Sequence, residues 1–108
     1  ERGIFSTIYA TVKDGVTEAD IIKSYQQAYQ DEPFVQVLNE GELPQMKHVA
    51  GTNNCQIAVQ LDERTNRLIV LSIIDNLGKG AAGQAVQNMN IMFGLPEKSG
   101  LNTIAMMP

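Results

Sequence analysis

The apolar positions alternate from the start. Ile4, Ser6, Ile8, Ala10 and Val12 fall on one side of a period-two segment, with Phe5, Thr7, Tyr9 and Thr11 on the other. Successive side chains of a strand point to opposite faces, so this spacing predicts a strand whose second face is aromatic and β-branched rather than charged. Asp14-Gly15 ends it as a turn. Thr17 then stands as a helix N-cap, with Asp20 three residues on to approximate a capping box and Val16 placed to pack on Ile21. Ile21, Ile22, Tyr25, Ala28 and Tyr29 recur at helical spacing, opposite Glu18, Lys23, Gln26, Gln27 and Gln30. That is the pattern of an amphipathic helix. Pro33 follows it and opens a short strand over 34–38.

Residues 39–54 are polar, with Gly41, Pro44, Gly51 and the pair Asn53-Asn54, and read mostly as loop. The segment is long for a passive connector, which makes it a candidate functional loop. Cys55, Ile57, Val59 and Leu61 alternate with Gln56, Ala58 and Gln60 to give a third strand. A turn over 62–67 predicts an antiparallel hairpin into 68–74, a run apolar on both faces and therefore expected at the centre of the sheet, covered on both sides. The fold class expected is α+β, a mixed, mainly antiparallel sheet of about four strands with helices on one face. The other face, carrying Phe5 and Tyr9, is the expected surface of a homo-oligomer, because aromatic side chains there would otherwise stay wet.

A last helix is predicted over 79–93. Ala82, Ala85, Val86, Met89, Met92 and Phe93 form an apolar stripe expected to face the core. The opposite side carries Gly83, Gln84, Gln87, Asn88 and Ile91, and no Asp, Glu, Lys or Arg stands anywhere from Gly80 to Pro96. A flank without charge suits packing against protein better than solvation. The helix is therefore expected to be covered twice, with one cover supplied from outside this chain. Gly94 is the expected C′ residue, and Pro96 stops the helix.

Composition narrows the function. The 108 residues, 44% of them apolar, make one domain with one core. The chain does not begin with Met and enters a strand within a few residues of its start, so it reads as trimmed at a domain boundary. No apolar run is long enough for a membrane span, and no membrane partner is expected. A net charge of −4 with scattered Lys and Arg argues against nucleic acid. One Cys precludes an internal disulfide and points to a reducing, cytoplasmic setting. One Cys and one His cannot make a Cys/His zinc cluster, so no metal is expected.

Gly78-Lys79-Gly80-Ala81-Ala82-Gly83 matches GxGxxG after a strand, but no strand-like run follows the helix to complete a dinucleotide-binding unit. What remains is a helix start flanked by Lys79, able to attract an anion or an amide oxygen, beside the plainer reading of close packing. Asp75-Asn76 ends the central strand just before this turn, a place for binding residues or for an Asx turn. Cys55 reads as a buried apolar cysteine rather than a nucleophile, and His48 as a solvated loop residue rather than a base. Arg2 is either a clamp on phosphate or carboxylate, or a surface charge.

The seventeen residues from Ile74 to Asn90, IDNLGKGAAGQAVQNMN, closely resemble the signature near the C-terminus of N-acetyl-γ-glutamyl-phosphate reductases. Aspartate-semialdehyde dehydrogenases carry a looser version. The agreement extends to Arg2-Gly3-Ile4 with Thr7 and Tyr9, Pro33-Phe34-Val35, Gly51-Thr52-Asn53, Gly94-Leu95 and Gly100-Leu101. The resemblance implies the substrate-binding and dimerisation domain, residues 1–108, of an NADPH-dependent reductase of arginine biosynthesis. Its catalytic Cys and His would lie outside this chain, so the chain alone should be inactive. Asn76, Gly78, Lys79 and Gly80 would be cofactor-side contacts and Arg2 a substrate contact. The last helix would pack on the missing NADP-binding Rossmann domain. A stand-alone homodimeric binding or assembly module is the alternative.

Overall fold

A computed structural model of the chain describes residues 3–101. The elements run β1 (Ile4–Thr11), α1 (Glu18–Tyr29), β2 (Val35–Val37), β3 (Cys55–Asp62), β4 (Arg67–Ile74) and α2 (Gly83–Met92). A short 3₁₀ turn (Met46–His48) lies in the long loop, and a π-helical turn (Gly78–Ala82) leads into α2. The strands form one mixed sheet in the order β1-β4-β3-β2. Two of its pairings are antiparallel, β1 with β4 and β3 with β4, while β2 runs parallel to β3.

The capping box at α1 is complete. Thr17 Oγ1 accepts from Asp20 N at 3.2 Å, and Asp20 Oδ2 accepts from Thr17 N at 3.3 Å. Two orphan donors of the first turn are thereby satisfied, and the two carboxylates of that turn, Glu18 and Asp20, oppose the helix dipole. Glu18 also accepts from Leu61 N at 2.8 Å, which fixes the helix start to the end of β3. Ile21 and Ile22 then pack against Ile57, Val59, Leu68 and Val70, forming the main core. Each such side chain contributes roughly 1.5–3 kcal/mol by leaving water. The β3–β4 hairpin closes through Asn66, whose φ of +57° is one that asparagine tolerates.

The second face of the sheet is half covered. Gln56, Ala58 and Ile73 are buried there, and Gln45 N donates to Gln56 Oε1 at 3.3 Å, which holds the long loop over that end. Toward β1 the same face is open: Phe5 is 54% and Tyr9 62% exposed, and Ile69 and Leu71 are half-buried. β4 thus takes the expected central place, but its second cover is complete only at the Ile73 end. The 39–54 loop is long enough to reach β3 and the start of the turn, and no element in the described residues lies over the rest.

The last helix departs from expectation in two ways. Its first turn is π-helical rather than α-helical, so regular α-helix starts at Gly83 instead of about Lys79. More important, the stripe expected to face the core faces outward. Met89 is 45%, Met92 78% and Phe93 73% exposed, whereas Gly83, Gln87 and Asn90 are buried. The physical reason is hydrogen bonding. Asn90 Nδ2 donates to the carbonyls of Glu97 and Ser99 at 3.0 and 2.9 Å, so the chain after the helix folds back along the amide flank. Buried amides are tolerated when satisfied, and here they choose the inward side. The end of α2 is as expected: Gly94 has φ +68°. Leu95 N bonds Asn90 O, and Gly94 N bonds Ile91 O, closing a Schellman motif.

Candidate functional site at the glycine turn

β4 runs into Asp75 and Asn76 and then into the π-helical turn. Asp75 is fully buried. Its carboxylate accepts from Gly51 N at 2.5 Å and from Leu77 N at 2.9 Å, and its carbonyl accepts from Gly80 N at 3.0 Å. One residue therefore clamps the 49–54 loop, the Asx turn that leaves the strand, and the turn that follows. Among the two roles open to Asp75 in the sequence, the structure makes it a positioning residue.

Asn76 is half-buried beside this clamp. Its Oδ1 accepts from Gly3 N at 2.9 Å, tying the end of β4 to the start of β1. That bond orients the carboxamide and leaves its Nδ2, two N–H donors, without a partner among the described residues. Asn76 thus presents a side chain that is fixed through its oxygen and able to donate through its nitrogen.

The glycines have local reasons for being glycine. A Cβ on Gly78 would lie 2.0 Å from the carbonyl oxygen of Thr52, and one on Gly83 would lie 2.4 Å from Asn53 Oδ1. Gly80 is exposed, and a Cβ there would sit 3.3 Å from Asp75 O, with the ends of Ile74 and Ile4 just beyond. Several N–H groups of the turn are used internally, Gly80 to Asp75, Ala82 to Leu77 and Gly83 to Gly78. The first and last glycines of the GxGxxG string, Gly78 and Gly83, record the approach of the 51–54 loop to the turn.

Lys79 turns inward. Its Nζ donates to Gln87 Oε1 at 2.5 Å and stands 5.7 Å from the centre of the Phe34 ring. Desolvation holds its pKa below the ordinary lysine value, opposed by the nearby Cys55, Glu97 and Glu32. Gln87 also accepts from Asn53 Nδ2 at 2.9 Å and donates to Glu97 at 2.6 Å. One amide thus joins the loop, the turn and the segment after α2. Asn53 Oδ1, packed on Gly83, has no hydrogen-bond partner among the described residues. Sequence reasoning missed Asn53, Gln87 and Glu97 as a cluster. Its only trace was the absence of charge along α2, which marks a covered flank without naming what covers it.

The remaining candidates lie elsewhere. His48 is exposed at the end of the 3₁₀ turn. Cys55 is half-buried on the α1 side of β3, with its Sγ 3.4 Å from Ser72 Oγ. Arg2 lies outside the described residues.

A turn held this rigidly at the end of a central strand, with one free carboxamide at its edge, is what the seventeen-residue block builds. Residues 1–76 match the family model for the semialdehyde dehydrogenase dimerisation domain. The chain belongs to this semialdehyde dehydrogenase dimerisation-domain family. Over all 108 residues it is 56% identical to an N-acetyl-gamma-glutamyl-phosphate reductase of Citrifermentans bemidjiense, covering 31% of that protein. It is 58% identical over 100 residues, 93% of the chain, to the protein of the same name from Pelotomaculum thermopropionicum, covering 29% of it. With that of Cellvibrio japonicus the identity is 51% over 107 residues, 99% of this chain and 31% of the relative. The chain therefore spans less than a third of the length of these curated relatives.

Proposed function

We propose that this chain is the dimerisation and cofactor-side unit of an NADPH-dependent reductase that converts N-acetyl-γ-glutamyl phosphate to its semialdehyde in arginine biosynthesis. The observation that carries this reading is identity of 51–58% along nearly the whole chain to proteins of that name. The glycine turn lies inside the matched region. The catalytic Cys and His belong to the rest of the polypeptide, which works in a reducing, cytoplasmic setting. The cofactor supplies hydride when bound, and this chain's residues do the placing.

Asn76 is the contact with the best fit. Its oriented carboxamide offers two N–H donors, suited to an amide or hydroxyl oxygen of a nicotinamide nucleotide. Gly78, Lys79 and Gly80 form the ledge beside it, where the missing side chain of exposed Gly80 leaves room for close approach. Arg2 is the proposed substrate contact. The exposed flank of α2 docks on the NADP-binding domain, and the open sheet face around Phe5 and Tyr9 meets a second copy.

Kinetics of the full-length polypeptide test the assignment. Asn76→Ala should raise KM for NADPH roughly tenfold, the value of one good hydrogen bond (about 1.4 kcal/mol), with KM for the acyl phosphate little changed. An unchanged KM for NADPH would remove Asn76 from the cofactor site.

A further inference from the structure

Three segments meet at the side chain of Gln87, which is buried within α2. Lys79 of the turn donates to its Oε1 at 2.5 Å, and Asn53 of the 49–54 loop donates to the same oxygen at 2.9 Å. Its Nε2 donates to Glu97 Oε2 at 2.6 Å, in the stretch that folds back after the helix. Glu97 is itself held in place, because its backbone carbonyl and that of Ser99 accept from Asn90 Nδ2.

The polarity of this hub is fixed by its two charged ends. An ammonium only donates and a carboxylate only accepts. Gln87 must therefore turn its oxygen to Lys79 and its nitrogen to Glu97, and Asn53 must offer its nitrogen to the same oxygen. Asn53 Oδ1 is thereby forced against Gly83, where it has no hydrogen-bond partner among the described residues. Leaving a buried acceptor unpaired lowers stability, at a place where an apolar side chain on α2 would have filled the space without that loss. What the amide adds is direction. It holds Asn53, and the same loop reaches the turn through Gly51 N on Asp75 Oδ2 and through Thr52 O, 2.0 Å from where a Cβ on Gly78 would stand. Asn76 stands between these two points.

We propose that Gln87 is a positioning residue of the reductase. By bridging Lys79, Asn53 and Glu97 it sets the turn from which Asn76 meets the nicotinamide cofactor, without touching the cofactor itself. The inference rests on the cofactor-side reading of Asn76.

The hub can be rewired in the full-length polypeptide, and that supplies the test. Gln87→Glu sets two carboxylates against each other. Adding Glu97→Gln restores every contact, since the carboxylate at position 87 accepts from Lys79, from Asn53 and from the carboxamide at position 97. Gln87→Glu should raise KM for NADPH roughly fivefold, in the range for a residue acting through its contact partners, with KM for the acyl phosphate within about twofold. The double variant should return KM for NADPH to within about twofold of the unsubstituted protein. An unmoved KM for NADPH in Gln87→Glu, beside a raised one in Asn76→Ala, would overturn the proposal. So would a double variant as impaired as the single one, or both KM values rising together, as a merely structural role predicts. Should Gln87→Glu not fold, Glu97→Ala on the half-buried tail takes its place with a rise of roughly threefold in KM for NADPH, and no rise would overturn the proposal. Failure of the cofactor reading looks different, because KM for NADPH then stays put in Asn76→Ala as well. Exchange of the Gly51 and Gly80 amides, both bonded to Asp75, then decides. Gln87→Glu should speed it roughly tenfold, as for a locally loosened turn, and unchanged exchange would overturn the proposal.

Discussion

Gly78 and Gly83 illustrate how a motif can be legible while its reason is not. The spacing of the glycines stands out in the sequence, but the atoms that require them belong to Thr52 and Asn53, in a loop read as a polar connector. An alanine Cβ would meet those oxygens at 2.0 and 2.4 Å, one of them backbone and unable to swing aside. Gly78→Ala should therefore lower stability by about 2–4 kcal/mol, at or above the usual cost of overpacking. Gly15 is the control. It needs glycine for its φ of +84° alone and has nothing within 4 Å of a Cβ, so Gly15→Ala should cost only about 1–2 kcal/mol. Equal denaturation midpoints for the two variants would contradict the close-approach account. Asp75 and Asn76 form a similar contrast. Their position at the strand end marked both as candidates. Only the hydrogen bonds divide the pair into a buried clamp and a carboxamide with donors to spare.

At the scale of elements, local pattern carried most of the fold. The capping box at Thr17, the β3–β4 hairpin and the stop at Gly94 are set by residues close in sequence, and all three stand where the pattern placed them. α2 went the other way because its orientation is set by distant partners. Hydrophobic periodicity ranks Met89, Met92 and Phe93 as the inward stripe, yet Gln87 and Asn90 find their acceptors and donors in Asn53, Lys79, Glu97 and Ser99. Once those bonds form, the apolar stripe is left outside. It is the charge-free character of the helix, visible in the sequence, that survives, while Gly83 and Gln87 of the amide flank turn inward and Asn88 and Ile91 stay exposed. The outward stripe makes a measurable demand on the full-length protein. Phe93→Ala there should cost about 3–5 kcal/mol in unfolding free energy if the flank is buried against the NADP-binding domain. A cost within about 0.5 kcal/mol, the range of an exposed surface site, would mean that nothing docks on it.

Considered whole, the chain presents bare apolar surface in three places: the outer flank of α2, the free edge of β1, and the sheet face around Phe5 and Tyr9. The last is the face proposed above to meet a second copy, in a family whose model is a dimerisation domain. Tyr9 carries the Arg67 guanidinium 5.5 Å above its ring and is otherwise open, so a charge there need not disturb the fold. Tyr9→Glu, whose carboxylate can pair with Arg67, should leave the thermal transition of the monomer fold nearly unchanged in the full-length polypeptide. It should also shift the sedimentation profile toward the monomer, by at least tenfold in the dissociation constant, because like charges would then face each other across the two-fold. An unshifted profile would place the dimer contact elsewhere. The sheet face and the glycine turn were legible as tendencies in the sequence, whereas the outward stripe of α2 and the bare edge of β1 needed the burial of each face.

The division of labour itself is tested by assaying NADPH oxidation with N-acetyl-γ-glutamyl phosphate, using residues 1–108 and the full-length polypeptide side by side. Cooperative melting of the shorter chain would first establish that it is folded. Turnover by the full-length polypeptide and none above the blank by residues 1–108 is the predicted result. Turnover by residues 1–108 would contradict the account, as would a full-length polypeptide that leaves NADPH untouched.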